Sequence, residues 1–489
     1  MKFINQSEDS LENILTDGQQ TCTYRNIPEL FEQIRTFFNK EDICRQYPLI
    51  LECDNSLAGS LTLLYLLEEG YSFLLTPKET KESLSHDPAG NFPSFCRYKI
   101  KTAVVNQDHL GLFRPDVALQ LIVNDKSGNI NKADLEEPKM YLRTSGSTGK
   151  PKLVVHSHAR LKNNALNCVR RLKITSDFRI AIPVPIAHMY GLGAAFLPAV
   201  LTGASTDLQQ GANLLRYLQR EREFNPDTAF MTPVFCETLL AGRRASRRYR
   251  LTVTAGDRFR GQDTFAKYES LFGPVVNLYG STEMGAMAAG SPDDPREMRT
   301  QTSGCPMPGV QMRLEERDAE SEAGEEMKGA GELWCSHPAG FRGYIDEKGR
   351  STDDTPSNGS KKWFRTKDLG RIKPDGRIEV IGRSDHCVNR DGLLVSFAEV
   401  EYALRAIKEI EDAVVVSEGE NRRGKKLVAC CLLRKGAALN PSEVRAVCFN
   451  LLPTRAVPDD ILFLEALPLL ASGKIDRQKL ITMVKERII

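Results

Sequence analysis

Apolar positions along the first half of the chain follow two alternating rhythms. Ile27–Phe38 has the spacing of an amphipathic helix, Leu49–Cys53 reads as a short apolar strand, Leu57–Glu69 as another helix and Tyr71–Leu75 as a further strand. Strands alternating with helices predict a parallel α/β layer, and the alternation returns through Asn213–Cys236 and Tyr249–Tyr279. Between Ser303 and Arg383 the pattern changes. Gly and Pro punctuate short strand-like runs such as Gly331–Trp334 and Arg377–Ile381, which predicts antiparallel structure. Acidic Glu315–Glu326 and polar Thr352–Lys362 read as solvated loops. After Asp385 a smaller unit follows, with helices at Phe397–Ile407 and Pro441–Leu451 and strands at Asp412–Val416 and Lys426–Leu433. The expected fold class is α/β. Residues 1–384 form a large N-terminal region of several subdomains with parallel-type sheets and a small antiparallel β subdomain, and residues 385–489 form a small α+β C-terminal domain.

One stretch, Ile180–Thr206, is free of Asp, Glu, Lys and Arg and long enough to cross a bilayer. Pro183, Pro185, Gly191, Gly193 and Pro198 interrupt it, so it reads as a buried strand–turn–helix. The polar, acidic segment Met1–Asn13 lacks a basic leader and apolar run, and so does not read as a signal peptide. Over 489 residues Lys+Arg and Asp+Glu nearly cancel, at a formal net charge of +2, which gives no reason to expect nucleic acid or a membrane surface as partner. The 12 cysteines contain no Cys-x-x-Cys pair and read as free thiols. A cytoplasmic protein is the expectation.

The chemistry concentrates in short motifs. Thr144-Ser145-Gly146-Ser147-Thr148-Gly149-Lys150-Pro151-Lys152 follows the strand-like Met140–Leu142. Small and hydroxylated residues let backbone N–H groups and hydroxyls wrap phosphate oxygens, and two lysines add positive charge. The run is not a Walker A loop, which needs Gly where Thr144 stands and Ser or Thr where Pro151 stands. Asn277-Leu278-Tyr279-Gly280-Ser281-Thr282-Glu283, Phe364-Arg365-Thr366-Lys367-Asp368-Leu369, Gly382-Arg383-Ser384-Asp385 and Ser472-Gly473-Lys474-Ile475-Asp476-Arg477 follow in that order.

Taken together, these motifs resemble those of the adenylate-forming superfamily: acyl- and aryl-CoA synthetases, peptide-synthetase adenylation domains and firefly-type luciferases. The resemblance runs along nearly the whole chain. It implies ATP and Mg²⁺ as cofactors. Thr144, Ser145, Gly146, Ser147, Thr148, Gly149, Lys150 and Lys152 would cradle phosphates. Tyr279 and Gly280 would meet adenine, Thr282 the α-phosphate, and Glu283 with Thr144 the Mg²⁺. Asp368 would accept from both ribose hydroxyls, Arg383 would reach the nucleotide, and Asp385 would be the hinge of a mobile C-terminal domain carrying the catalytic Lys474. Gly304-x-Pro306-x-Pro308-Gly309 and Gly331-Glu332-Leu333 match as scaffold. The departures are Leu153 and Lys367, where the family usually has Gly, and an unusual Cys387–Gly392 segment where the thiol acceptor enters in relatives.

The implied reaction joins a small carboxylic acid to AMP with release of pyrophosphate, then passes the acyl group to a thiol. Pro185-Ile186-Ala187-His188-Met189-Tyr190-Gly191 resembles the Pro-x-x-His-x-x-Gly segment of acyl- and aryl-CoA synthetases, which places His188 at the carboxylate side of the pocket. The alternative reading of His188 is a hydrogen-bonded core histidine. Amino-acid-activating relatives usually carry an Asp here for the substrate ammonium. None is present, which favours an acyl or aryl acid without an α-amino group. Met189 after the His disfavours catechol-like acids, and further pocket residues are expected in Thr232–Cys236, Thr254–Asp257 and Leu278–Met287. Coenzyme A is the expected acceptor, with the phosphopantetheine of a separate carrier protein as the alternative. The cluster Arg243–Arg250 reads either as a contact for such an acceptor or as a solvated helix face. A non-catalytic nucleotide-binding protein would lack Lys474 or Glu283, whereas a luciferase-type monooxygenase would share every adenylation motif.

Overall fold

Leu57–Glu69 is a helix bounded at both ends by its sequence. The Ser56 hydroxyl accepts the Gly59 N–H at 3.0 Å, and Gly70 stops it in the left-handed conformation, φ 71°. Every residue from Leu57 to Leu67 is buried, so it is a core helix. Ile27–Lys40, by contrast, buries only the stripe Ile27, Ile34 and Phe38. The computed structural model describes residues 2–78, 92–102, 114–124, 137–144, 152–211, 213–243, 245–257, 259, 262–315, 329–352, 363–390, 393–421, 424–469 and 475–488. They fall into two compact units, Met1–Gln311 with Cys335–Trp363, and Met312–Trp334 with Phe364–Ile489.

The first unit contains two large sheets. The nine-stranded sheet has the order Cys305–Pro306, Gly285–Ala289, Val275–Ser281, Leu251–Ala255, Thr228–Met231, Arg179–Ile182, Ser205–Leu208, Ile14–Thr16, Thr21–Thr23. From Val275–Ser281 to Ile14–Thr16 the neighbours are parallel, and the outer pairs are antiparallel. Buried hydrophobics at nearly every position, such as Ala229, Phe230 and Met231, fit strands covered on both faces. The eight-stranded sheet has the order Ser351–Thr352, Gly343–Ile345, Lys152–Ser157, Lys139–Thr144, Phe73–Pro77, Leu49–Cys53, Tyr98–Thr102, Leu119–Val123, parallel in its middle and antiparallel toward both edges. Leu153 is fully buried in the apolar cluster with Ile50, Leu74 and Tyr141, which accounts for its size at a position where relatives carry Gly.

The uncharged stretch Ile180–Thr206 is a strand, a proline-bounded turn, a π-helix Tyr190–Phe196, a helix Leu197–Thr202 and the start of the next strand. Among the described residues no helix is long and apolar enough to cross a membrane.

In the second unit a four-stranded sheet has the order Gln311–Glu315, Gly331–Ser336, Phe364–Ile372, Ile378–Arg383. Another sheet joins Leu393–Ser396, Cys387–Arg390, Gly424–Leu433 and Ile410–Asn421, and Asp460–Leu464 pairs in parallel with Gly424–Leu433. Ala413 and Val415 enter one apolar cluster, Val414 and Val416 another. A strand buried on both faces explains the continuous Ala413–Val416 run. The α/β expectation therefore holds, including antiparallel pairing of Phe364–Ile372 with Ile378–Arg383. The loops read at Glu315–Glu326 and Thr352–Lys362 lie almost wholly outside the described residues.

The reading of Arg243–Arg250 as a solvated helix face is corrected. The preceding helix, Pro233–Gly242, ends before it. Buried Glu221 gathers part of the run: Arg243 lies 2.7 Å and Arg247 3.7 Å from its carboxylate, and the Tyr249 hydroxyl donates to it.

Candidate active site

The two strands that bracket the glycine-rich loop form an antiparallel hairpin, with Thr144 opposite Lys152. The Thr144 hydroxyl donates to the Lys152 carbonyl at 3.4 Å, closing the base of the connection. Ser145, Gly146, Ser147, Thr148, Gly149 and Lys150 lie outside the described residues, as does Lys474.

Val275–Ser281 returns antiparallel as Gly285–Ala289, and the turn between them presents Thr282 and Glu283. Its glycines are steric necessities. A Cβ on Gly280 would lie 2.4 Å from the Gly285 carbonyl oxygen, and Gly285 has φ +63° with Asn164 against it. The Ser281 hydroxyl accepts the Met284 N–H at 3.1 Å. Tyr279, 8% exposed, precedes the turn on the same strand.

A buried polar network grips this turn from below. His156 Nε2 meets the Thr282 carbonyl at 2.8 Å. Asn164 donates to the Met284 carbonyl at 3.0 Å, accepts the Ala286 N–H at 3.1 Å, and lies 3.0 Å from His337 Nε2. Burial pushes the His156 and His337 pKa values down to about 4, so both rings are neutral near pH 7. A neutral His156 then donates from Nε2 to the carbonyl. The Phe341 N–H donates to the Glu283 carbonyl at 2.8 Å, and Tyr344 Oη to Glu283 Oε1 at 3.0 Å.

Glu283 Oε2 has no protein partner among the described residues. Nor do three or more His, Cys, Asp or Glu side chains converge there to cage a metal ion. One open carboxylate oxygen fits Mg²⁺, which usually takes one or two protein carboxylates and completes its shell with phosphate and water.

His188 sits beyond the carboxyl end of Arg179–Ile182, on the side of the parallel strands where ligand crevices open in such sheets. Asn55 fixes the approach: Nδ2 donates to the Ile182 and Val184 carbonyls at 3.0 Å each, and Oδ1 accepts the Ile186 N–H at 2.9 Å. A Cβ on Gly191 would come within 2.1 Å of the Pro185 oxygen, which is the physical reason for the spacing Pro-x-x-His-x-x-Gly. The following π-helix is anchored by the Tyr190 hydroxyl, which donates to the Met231 and Val253 carbonyls at 3.0 and 2.7 Å. Thr232 and Thr254 likewise stand at or just beyond the carboxyl ends of their strands, and Leu278 lies in the middle of Val275–Ser281. The structure thus brings Thr144, Lys152, Thr282 and Glu283 into one connected group. Tyr279, Gly280 and His188 stand at the same edge of the nine-stranded sheet, on strands separated by two others.

In the second unit Asp368 and Arg383 are cross-strand partners, with Arg383 Nη1 3.3 Å from Asp368 Oδ1. The Thr366 hydroxyl donates to the Leu333 carbonyl at 2.6 Å and accepts the Asp368 N–H at 3.0 Å. Lys367 has φ +62°, the left-handed conformation for which the family's usual Gly is suited. Asp385 lies in the 3₁₀ turn Ser384–His386. Arg390, in the unusual Cys387–Gly392 segment, is fully buried and donates to the Val457 carbonyl and the Asp459 carboxylate. Asn55, His156, Asn164 and Tyr344 were not among the residues singled out from the sequence.

The comparisons with known proteins converge. The AMP-binding enzyme family matches residues 70–345, and its C-terminal domain matches residues 399–474. The anguibactin system regulator of Vibrio anguillarum is 29% identical over 71% of this chain, and the mitochondrial medium-chain acyl-CoA ligase of Mus musculus 26% identical over 71%. The matches span 34% and 57% of those relatives' own lengths. The fold is that of o-succinylbenzoate CoA synthetase from Bacillus subtilis, solved with its acyl-adenylate intermediate: TM-score 0.76 at 20% identity, covering 96% of this chain and 95% of that one. With more than half its length matched and the superfamily's motifs in order, the chain belongs to the AMP-binding enzyme family, the adenylate-forming ligases.

Proposed function

We propose that this protein activates a small acyl or aryl acid lacking an α-amino group as its acyl-AMP and transfers the acyl group to coenzyme A. The supporting observation is the Ser281–Gly285 turn. Its backbone is pinned from three directions while Glu283 Oε2 stays open, at the sheet edge from which Tyr279 and His188 also emerge. A carboxylate is a poor electrophile. Its oxygen attacks the α-phosphorus of ATP, a new P–O bond forms, the bond to the bridging α–β oxygen breaks, and pyrophosphate leaves. The thiol sulfur then attacks the acyl carbon, AMP departs with the bond electrons, and the thiol proton passes to solvent.

Little proton transfer is required of the protein, so its contribution is positioning and neutralisation of charge. Thr144 and Lys152, with the loop between them, hold phosphates. Tyr279 and Gly280 receive adenine, Thr282 the α-phosphate, and Asp368 with Arg383 the ribose side. His188 orients the acid carboxylate, and Lys474 bridges it to the α-phosphate. Glu283 and Thr144 would hold Mg²⁺, which when bound would neutralise charge on the phosphates. Asp385 is the hinge that carries Lys474 in for adenylation and out for thioester formation.

The test is pyrophosphate release with Mg-ATP across aryl, fatty and amino acids, each with and without coenzyme A. Release stimulated by coenzyme A for one acid class is expected. Release that coenzyme A leaves unchanged would shift the acceptor to a carrier's phosphopantetheine, and release only with amino acids would overturn the substrate reading. Lys474→Ala is expected to remove most acyl-AMP formation, about 10²–10³ in rate. Thioester formation from supplied acyl-AMP should survive, and equal loss of both half-reactions would sink the two-conformation scheme.

A further inference from the structure

Tyr344 occupies the middle of the short strand Gly343–Ile345, opposite Val154 on one side and Thr352 on the other. Two antiparallel neighbours fix its backbone. Phe341 packs edge-on against its ring at 4.9 Å, and Arg160 holds the Gly340 and Phe341 carbonyls at 3.0 and 2.9 Å. The side chain is thus set in place before any ligand arrives. Its phenol donates to Glu283 Oε1 at 3.0 Å, and its ring lies 5.4 Å from the Lys152 ammonium. Lys152 stands two residues before Val154 on the same strand, and a strand's side chains repeat every second residue, so both face Tyr344.

We propose that Tyr344 is a positioning residue for the divalent cation. Its hydroxyl fixes one Glu283 oxygen and turns the other toward the metal, while its face places the Lys152 ammonium on the phosphate side. One side chain thereby sets both the anionic and the cationic element of the nucleotide site. The inference rests on Glu283 being the cation ligand, as proposed above. Hydrogen-bonded partners behind a ligating carboxylate typically change metal affinity by about 10–100-fold when removed, and an ammonium over an aromatic face is held by the ring quadrupole.

The experiment is calorimetric titration of ATP binding at increasing Mg²⁺, with AMP binding in EDTA as the metal-free reference. Tyr344→Phe keeps the ring and its packing. It is expected to raise the Mg²⁺ concentration at half-effect about tenfold and to leave AMP affinity in EDTA unchanged. Tyr344→Leu, which also removes the ring, is expected to weaken ATP binding without Mg²⁺ as well. Glu283→Gln should weaken the Mg²⁺ response directly, and adding Tyr344→Phe to it should produce no further shift. If Tyr344→Phe matches the wild type while Glu283→Gln does not, the role of Tyr344 is overturned and the adenylation reading stands. A further shift in the double variant would also overturn it, because the tyrosine would then act by another route. If Glu283→Gln keeps the wild-type Mg²⁺ response, Glu283 is not the ligand and both readings fall.

Discussion

Two strand segments present candidate nucleotide-binding groups, and they are built differently. The Gly280–Gly285 hairpin places glycine at both crowded positions, whereas the strand Phe364–Ile372 carries Lys367 at φ +62°. At Gly280 the obstacle is another backbone atom 2.4 Å from any added Cβ, which cannot rotate away. At Lys367 the cost is conformational, about 1–2 kcal/mol for a non-glycine residue in the left-handed region. The flanking Thr366 hydroxyl offsets it by bonding both Leu333 and Asp368. A motif glycine is therefore indispensable where backbone meets backbone, and replaceable where only φ is at stake.

The sharpest way to break this contrast is Gly280→Ala. It should destabilise the first unit by about 3 kcal/mol or more, read by denaturant unfolding and by faster amide exchange in the 281–285 turn; a loss under 1 kcal/mol would mean that the turn relaxes freely. Acid comes next. His156, His158 and His337, all in the first unit, have pKa values lowered by burial to about 4 from 6.5. The unfolded chain then binds more protons between these values. The stability they confer is full above pH 6.5 and falls as pH drops toward 4, by at most roughly 3 kcal/mol per histidine. His156→Gln should flatten part of that fall; an unchanged slope between pH 6.5 and 4 would rule out His156 as a contributor. Thr366→Val should cost about 1–3 kcal/mol, because it leaves the Leu333 carbonyl and the Asp368 N–H without their partner. Its effect belongs to the second unit, and a variant as stable as the parent would remove the offset argued for Lys367. Smallest is Lys367→Gly, which relieves φ strain but gains backbone entropy in the unfolded chain. It should change stability by no more than about 1 kcal/mol, with a stabilising sign if strain dominates; a clear loss in thermal midpoint would show that Lys367 earns its place through its own contacts.

What was legible in the sequence is what local geometry writes locally. The helix Leu57–Glu69 and the strand Leu49–Cys53 have the bounds their patterns predict, because caps and apolar runs lie within the segment. Gly191 and Gly280 could be read because the atoms they avoid lie only a few residues away, at Pro185 and Gly285. His156, Asn55 and Tyr344 act on carbonyls, amides or carboxylates 61 to 154 positions distant, and nothing near them in sequence marks the partner. The Arg243–Arg250 run failed for the same reason: its organising carboxylate, Glu221, lies on another helix.

That carboxylate has an electrostatic consequence. Five arginines in eight residues suggest a strong positive patch, yet Arg243 and Arg247 turn toward Glu221, and Arg250 pairs with Asp177 at 2.6 Å. Of the described arginines in the run, Arg248 is exposed without a carboxylate partner. Glu221 and Asp177 offset two of the five arginine charges, so an anionic partner approaching this face meets a field weaker than the sequence suggests but still positive. Its binding should therefore depend on ionic strength less steeply than the arginine count implies.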